Sequence, residues 1–102
     1  MEIIHKNSAK NGLFVAQEGG QRIGYISYDW LEPNILGLMH TVVSPEYRGH
    51  GVAKALLDAA VEYARKNGIL IHAICSYAVK EFEKPEYDDV NSFKQNPKTS
   101  KA

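Results

Sequence analysis

Residues 42–57 read Val42-Val43-Ser44-Pro45-Glu46-Tyr47-Arg48-Gly49-His50-Gly51-Val52-Ala53-Lys54-Ala55-Leu56-Leu57. This is an apolar strand, a proline stop, a turn bearing two glycines, and the opening of an amphipathic helix. Pro45 has no N–H for a sheet ladder, so the strand ends before it. Gly49 and Gly51 reach backbone angles that strain other residues. A helix opening at Gly51 turns its unpaired N–H groups and the positive end of its dipole toward the turn, so the bound group is expected to be a phosphate or pyrophosphate.

Working outward, Ile35 to Val43 forms the long strand that feeds the turn, apolar enough on both faces to lie inside a sheet. Before it, Leu13 to Gln17 and Arg22 to Trp30 flank Gly19-Gly20, a pair suited to a tight hairpin, and Glu2 to Lys6 reads as a short edge strand. After the turn, Val52, Leu56, Ala60, Tyr63 and Ala64 recur at helical spacing through Lys66. Asn67-Gly68 supplies a left-handed helix end, and Ile69 to Ile74 a short strand. Strand, helix and strand in succession imply a parallel pair joined by a right-handed crossover. A second helix is expected over Ser76 to Lys84, with Ser76 as its cap. The fold class is therefore α+β: a mixed, mostly antiparallel sheet, one crossover helix and a short C-terminal helix. Residues 1–90 are read as one domain, and 91–102, rich in Asn, Lys, Gln, Pro, Thr and Ser, as a flexible tail.

Composition narrows the function. The chain has 102 residues, 44% of them apolar, enough for a core without disulfide or metal staples. Twelve basic residues balance twelve acidic ones, so no overall field draws the chain to nucleic acid or an anionic membrane, and phosphate binding must be local. The lone cysteine, Cys75, forms no internal disulfide framework and suits no common zinc cluster, so no metal is expected. A reducing cytoplasm is the expected setting, since the N-terminus lacks a signal-peptide pattern and no apolar run approaches a membrane span. Val52 and Ala53 follow Gly51 where a nucleoside-triphosphate loop carries Lys-Ser/Thr, and Lys54 stands where a dinucleotide fingerprint has its third glycine. Neither nucleotide template fits.

Arg48-Gly49-His50-Gly51-Val52-Ala53, together with the flanking runs, resembles the Arg/Gln-x-x-Gly-x-Gly/Ala signature of the GNAT superfamily of acyl-CoA-dependent N-acyltransferases. The likeness covers roughly residues 10 to 75. His40-Thr41-Val42-Val43 and Cys75-Ser76-Tyr77 are similar to a short, single-domain branch of it. The chain departs from larger members in having no room for the paired N-terminal helices that wall the acceptor site and no final strand hairpin after Cys75. The resemblance implies a GNAT-like sheet and acetyl-CoA, or coenzyme A, as cosubstrate. Its pyrophosphate would be held by the main chain of Arg48, Gly49, His50, Gly51, Val52, Ala53 and Lys54, and its pantetheine arm would pair with Thr41, Val42 and Val43. An amine, including one on a peptide or protein, would accept the acetyl group. Rival readings are a CoA-binding sensor or interaction module with little transferase activity, and acyl transfer or hydrolysis through Cys75.

Three side chains are candidates for the chemistry. His40 would serve as general base, and alternation places it on the face of Leu38 and Val42; a histidine satisfied at the sheet surface is the bland alternative. Cys75 would accept an acyl group or form a mixed disulfide with CoA, against an inert buried thiol. Tyr77 resembles the tyrosine that protonates the leaving thiolate in such enzymes, against core packing. His50, at a variable position of the motif, reads as solvated, and His5 and His72 as structural.

Overall fold

The computed structural model describes residues 1–95. Its strands are β1 (Glu2–Asn7), β2 (Asn11–Glu18), β3 (Gln21–Glu32), β4 (Ile35–Val43) and β5 (Leu70–Ala73). Its helices are α1 (Val52–Asn67) and α2 (Ser76–Glu81). The sheet runs β1-β2-β3-β4-β5, antiparallel except for the parallel β4–β5 pair. It is the mixed, mostly antiparallel α+β architecture expected from the element pattern. Gly19 and Gly20, at φ +57° and +80°, turn the β2–β3 hairpin in the conformation that matches strand twist. Gly68, at φ +64°, ends α1 and donates to the Ala64 carbonyl.

Both helices lie on one face of the sheet. Val52, Leu56, Leu57, Ala60, Val61 and Ala64 of α1 are buried against Phe14, Ala16, Ile26, Tyr28, Leu36 and Leu38, and Ala78, Phe82 and Tyr87 close the core beside them. Each large apolar side chain buried there is worth about 1.5–3 kcal/mol. The helix sits close because β3 presents Gly24 beneath Val52, where an added Cβ would come within 3.2 Å of Val52 Cγ1. Among the described residues, the opposite face carries no helix, leaving Val42 44% exposed.

Several expectations are corrected. The cap of α2 is Cys75 rather than Ser76, without a side-chain hydrogen bond, and the helix stops at Glu81, before a 3-10 turn at Pro85–Tyr87. The chain does not become a flexible tail at Asn91. Ser92 N–H donates to Ile71 O at 2.9 Å, Ile71 N–H donates to Val90 O, and Asn91 and Ser92 are buried at the β5 edge. The backbone groups of an edge strand need partners, which polar composition does not reveal. The rest of that expectation, 96–102, lies outside the described residues.

At the β1 side, His5 is sandwiched in aromatic surroundings. Its ring stacks on Phe14 at 4.1 Å and meets Tyr63 edge-on, while Nε2 lies 2.6 Å from the Tyr28 hydroxyl. The Tyr28 hydroxyl donates to Asn7 Oδ1, so His5 Nε2–H is the donor to Tyr28. Burial lowers the imidazole below its ordinary value of 6.5. Protonation is thus penalised in the folded state: this stability is complete above pH 6.5 and is lost as the pH falls through the lowered folded value. Denaturant unfolding at pH 7 and pH 5.5 is expected to show a drop that His5→Phe removes; an unchanged drop in His5→Phe would place its origin elsewhere.

Candidate active site

The site begins with a break in strand alternation. Across β3 and β4, Ser27 pairs with His40 but Tyr28 pairs with Leu38, leaving Met39 as the extra residue of a bulge. Leu36 and Leu38 therefore face the helices, as do Thr41 and Val43, whereas His40 and Val42 face the open side. The expectation that His40 shares the face of Leu38 is corrected: simple alternation does not survive an inserted residue. His40 is exposed.

The same bulge sets which main-chain groups face the gap. Pairing with β5 ends at Leu38 and Ala73, where the Leu38 carbonyl accepts from both Ile74 and Cys75 N–H at 3.0 Å. Among the described residues, Met39–Val43 continue past β5 without a strand partner on that side. Ser44 N–H donates to Ile23 O of β3, so by alternation the amides and carbonyls of Thr41 and Val43 point away from β3 into the gap. The Val43 carbonyl there accepts from Arg48 Nε, at 3.4 Å. Cys75 stands opposite, its Sγ 3.2 Å from Thr41 Oγ1.

The gap leads into the turn. A 3-10 turn at Pro45–Tyr47 brings the chain round, and Gly49 and Gly51 adopt φ +81° and +82°. Gly51 caps α1 through its carbonyl, which accepts from Ala55 N–H at 3.0 Å. Among the described residues, the N–H groups of Gly49, Gly51, Val52, Ala53 and Lys54 have no acceptor. Those of Arg48 and His50 bond back to Pro45 and Tyr47 at 3.3 Å, so the cradle is narrower than residues 48–54 taken whole. A cleft of about 220 Å³ lies over these amides, and a second of about 360 Å³ runs on to Thr41; Val43, Arg48, Ala53 and Tyr77 border both.

The side chains divide in a way the motif did not disclose. The Lys54 ammonium is held by Asp58 at 2.9 Å and lies near Glu86 and the Tyr87 ring, so Lys54 offers the turn its amide rather than its charge. Burial, then the Glu81 carboxylate, pushes the Tyr77 phenol up to about 12, which keeps it protonated at neutral pH. Tyr47, unremarked in the sequence, lines the turn cleft and meets His50 edge-on. Its one signal was an aromatic residue directly before Arg48.

The chain that places this parted parallel pair beside a helix-terminal row of unpaired amides matches a known family. Residues 13–90 fit the model of the GCN5-related N-acetyl-transferase. The chain belongs to the GCN5-related N-acetyltransferase family. Within that family it is 36% identical to a GCN5-like putative N-acetyltransferase from Staphylococcus aureus, solved in solution, with a TM-score of 0.64 and 86% of each chain covered. It is 34% identical over 65 residues to an uncharacterized N-acetyltransferase of Methanocaldococcus jannaschii; the match covers 58% of this chain and spans only 29% of that protein. An aminoglycoside N-acetyltransferase solved in complex with CoA shares the fold at a TM-score of 0.56 and 22% identity, covering 68% of this chain and 58% of its own.

Proposed function

We propose that this GCN5-related N-acetyltransferase chain binds acetyl-CoA and transfers its acetyl group to a primary amine. The observation that carries the reading is the continuity of unpaired main-chain groups. Amides at Gly49 and at Gly51 through Lys54 suit a diphosphate, and the open edge at Thr41 and Val43 suits the amides of a pantetheine arm. The thioester would then lie beside Met39–Thr41, within reach of an amine arriving over the open face where His40 stands.

The amine nitrogen attacks the thioester carbonyl carbon, and a main-chain N–H of this stretch stabilises the oxyanion. Collapse re-forms the carbonyl and breaks the C–S bond. His40 takes the proton lost by the amine, and the departing thiolate gains a proton at sulfur. Tyr77, at about 12, is a weaker acid than a thiol of about 8.5. Its O–H therefore stabilises the thiolate by a hydrogen bond while solvent completes protonation. The setting is taken to be the cytoplasm, where Cys75 remains a thiol.

The Thr41–Cys75 contact supports a second reading, transfer through a Cys75 thioester. Direct transfer predicts that primary amines accelerate CoA release and that Cys75→Ser retains most of this turnover, followed by thiol titration and intact mass. A wild-type acetyl adduct missing from Cys75→Ser, with turnover lost in that variant, would establish the thiol route instead. Release indifferent to every amine would leave a CoA-binding module.

A further inference from the structure

On the helix-free face, Lys6, Leu13, Ser27 and His40 stand in one line across four strands, each paired with the next. Cross-strand partners share a face, so these side chains form a single row. A cleft of about 410 Å³ covers the first three members of this row, bordered by Lys6, Asn11, Leu13, Ser27 and Asp29, and ends one strand short of His40. Its size is within the range of small-molecule sites, roughly 300–1,000 Å³.

Two features of this cleft have no use in the fold. Ser27 Oγ is the one buried side-chain polar atom without a hydrogen-bond partner among the described residues. A native hydroxyl in that state calls for an explanation, and a turn about χ1 would offer it to a group settled on the cleft floor. Lys6 and Asp29 carry opposite charges on the rim, and neither has an ion-pair or side-chain hydrogen-bond partner among the described residues. A monocation or a monoanion would satisfy only one of them. A zwitterion satisfies both.

We propose that this cleft is the acceptor subsite and that it holds the head of an α,ω-diamino acid. Lys6 takes the carboxylate, Asp29 the α-ammonium, and the ω-amine extends along the row past Ser27 toward His40. Three interstrand steps of about 4.8 Å separate Lys6 from His40, about 14 Å in all. The flexible four-carbon stem of Lys6 takes up part of that span. The inference rests on the proposed transferase reading, since His40 marks the reacting end only if the thioester lies beside it.

Steady-state acetylation of ornithine and lysine would be compared with cadaverine, which lacks the carboxylate, and with Nα-acetyl-lysine methylamide, whose head is neutral. The free diamino acids are expected to exceed both by about tenfold in kcat/KM, with Lys6→Ala and Asp29→Asn each raising KM about tenfold at nearly constant kcat. Amide spectra of the full chain supply a readout without turnover: ornithine or lysine should shift Lys6, Leu13 and Ser27, and cadaverine should not. Equal use of the neutral-headed compound, unchanged KM in both variants, or no shift at these amides would overturn the proposal. Acetyl-CoA added to the same sample separates the two readings, because failure to shift Gly49 to Lys54 would strike at the transferase reading.

Discussion

Acetyl-CoA at a hundred times its dissociation constant is expected to raise the stability of this chain by about 2.7 kcal/mol, and Gly51→Val to abolish nearly all of that gain. For a domain of this size the wild-type shift corresponds to about 10 °C or more in Tm. The substitution acts in two separable ways. Gly51 has φ +82°, so a β-branched residue costs the fold about 1–2 kcal/mol although no atom lies within 4 Å of the added Cβ. The same Cβ stands at the mouth of the amide cradle, where a diphosphate must approach the backbone. If affinity falls a hundredfold, the ligand at unchanged concentration contributes only about 0.4 kcal/mol. Gly68→Val is the control: φ is +64°, the surroundings are equally empty, and the site is at the far end of α1. It should lose similar intrinsic stability and keep the full acetyl-CoA shift. Equal ligand shifts in all three proteins would show that the turn does not hold the diphosphate.

The readability of this site in the sequence followed from how local each feature is. Gly49 and Gly51 announce positive φ, Pro45 the strand end, and Val52 to Ala64 the helix stripe, because each depends on residues within a turn or two. His40 did not yield to the same reasoning. Its face depends on the bulge at Met39, created by how β4 seats on β3, and nothing in Leu38-Met39-His40 marks an inserted residue. The Lys54 side chain was legible only in part. Asp58 is its neighbour four residues on along α1, whereas Glu86 and the Tyr87 ring reach it only through the return of Pro85–Tyr87. Asn91 and Ser92, polar and close to the end of the chain, gave no local sign that the bare edge of β5 would claim them. Tyr25, Tyr28 and Trp30 are close in sequence, yet odd spacing turns Tyr25 to the open face with Val42 while Tyr28 meets Trp30 on the helix side.

Gly12→Val is expected to be the most destabilising single substitution away from the Gly49–Lys54 turn, at about 3–5 kcal/mol and 15 °C or more in Tm. Gly12 has no unusual φ, and its need for glycine is one of space alone. An added Cβ would stand 2.4 Å from both Cζ and the hydroxyl oxygen of Tyr28, and 2.6 Å from the Lys6 carbonyl. Tyr28 has nowhere to go: it is fully buried, its phenol bonds Asn7 and His5, and burial pushes its pKa up to about 12. Displacing it gives up packing and strands a buried hydroxyl, while moving the Lys6 carbonyl distorts the β1–β2 ladder. A double-mutant cycle apportions these costs. With Tyr28→Leu in place, Gly12→Ala should cost markedly less than in the wild type, and what persists is the share due to the Lys6 carbonyl. Additive losses in thermal melts of the cycle would mean that Tyr28 does not fill the space above Gly12. Since the β1–β2 ladder lies across the sheet from the Gly49–Lys54 amides, any Gly12 variant that folds should still be stabilised by acetyl-CoA as the wild type is.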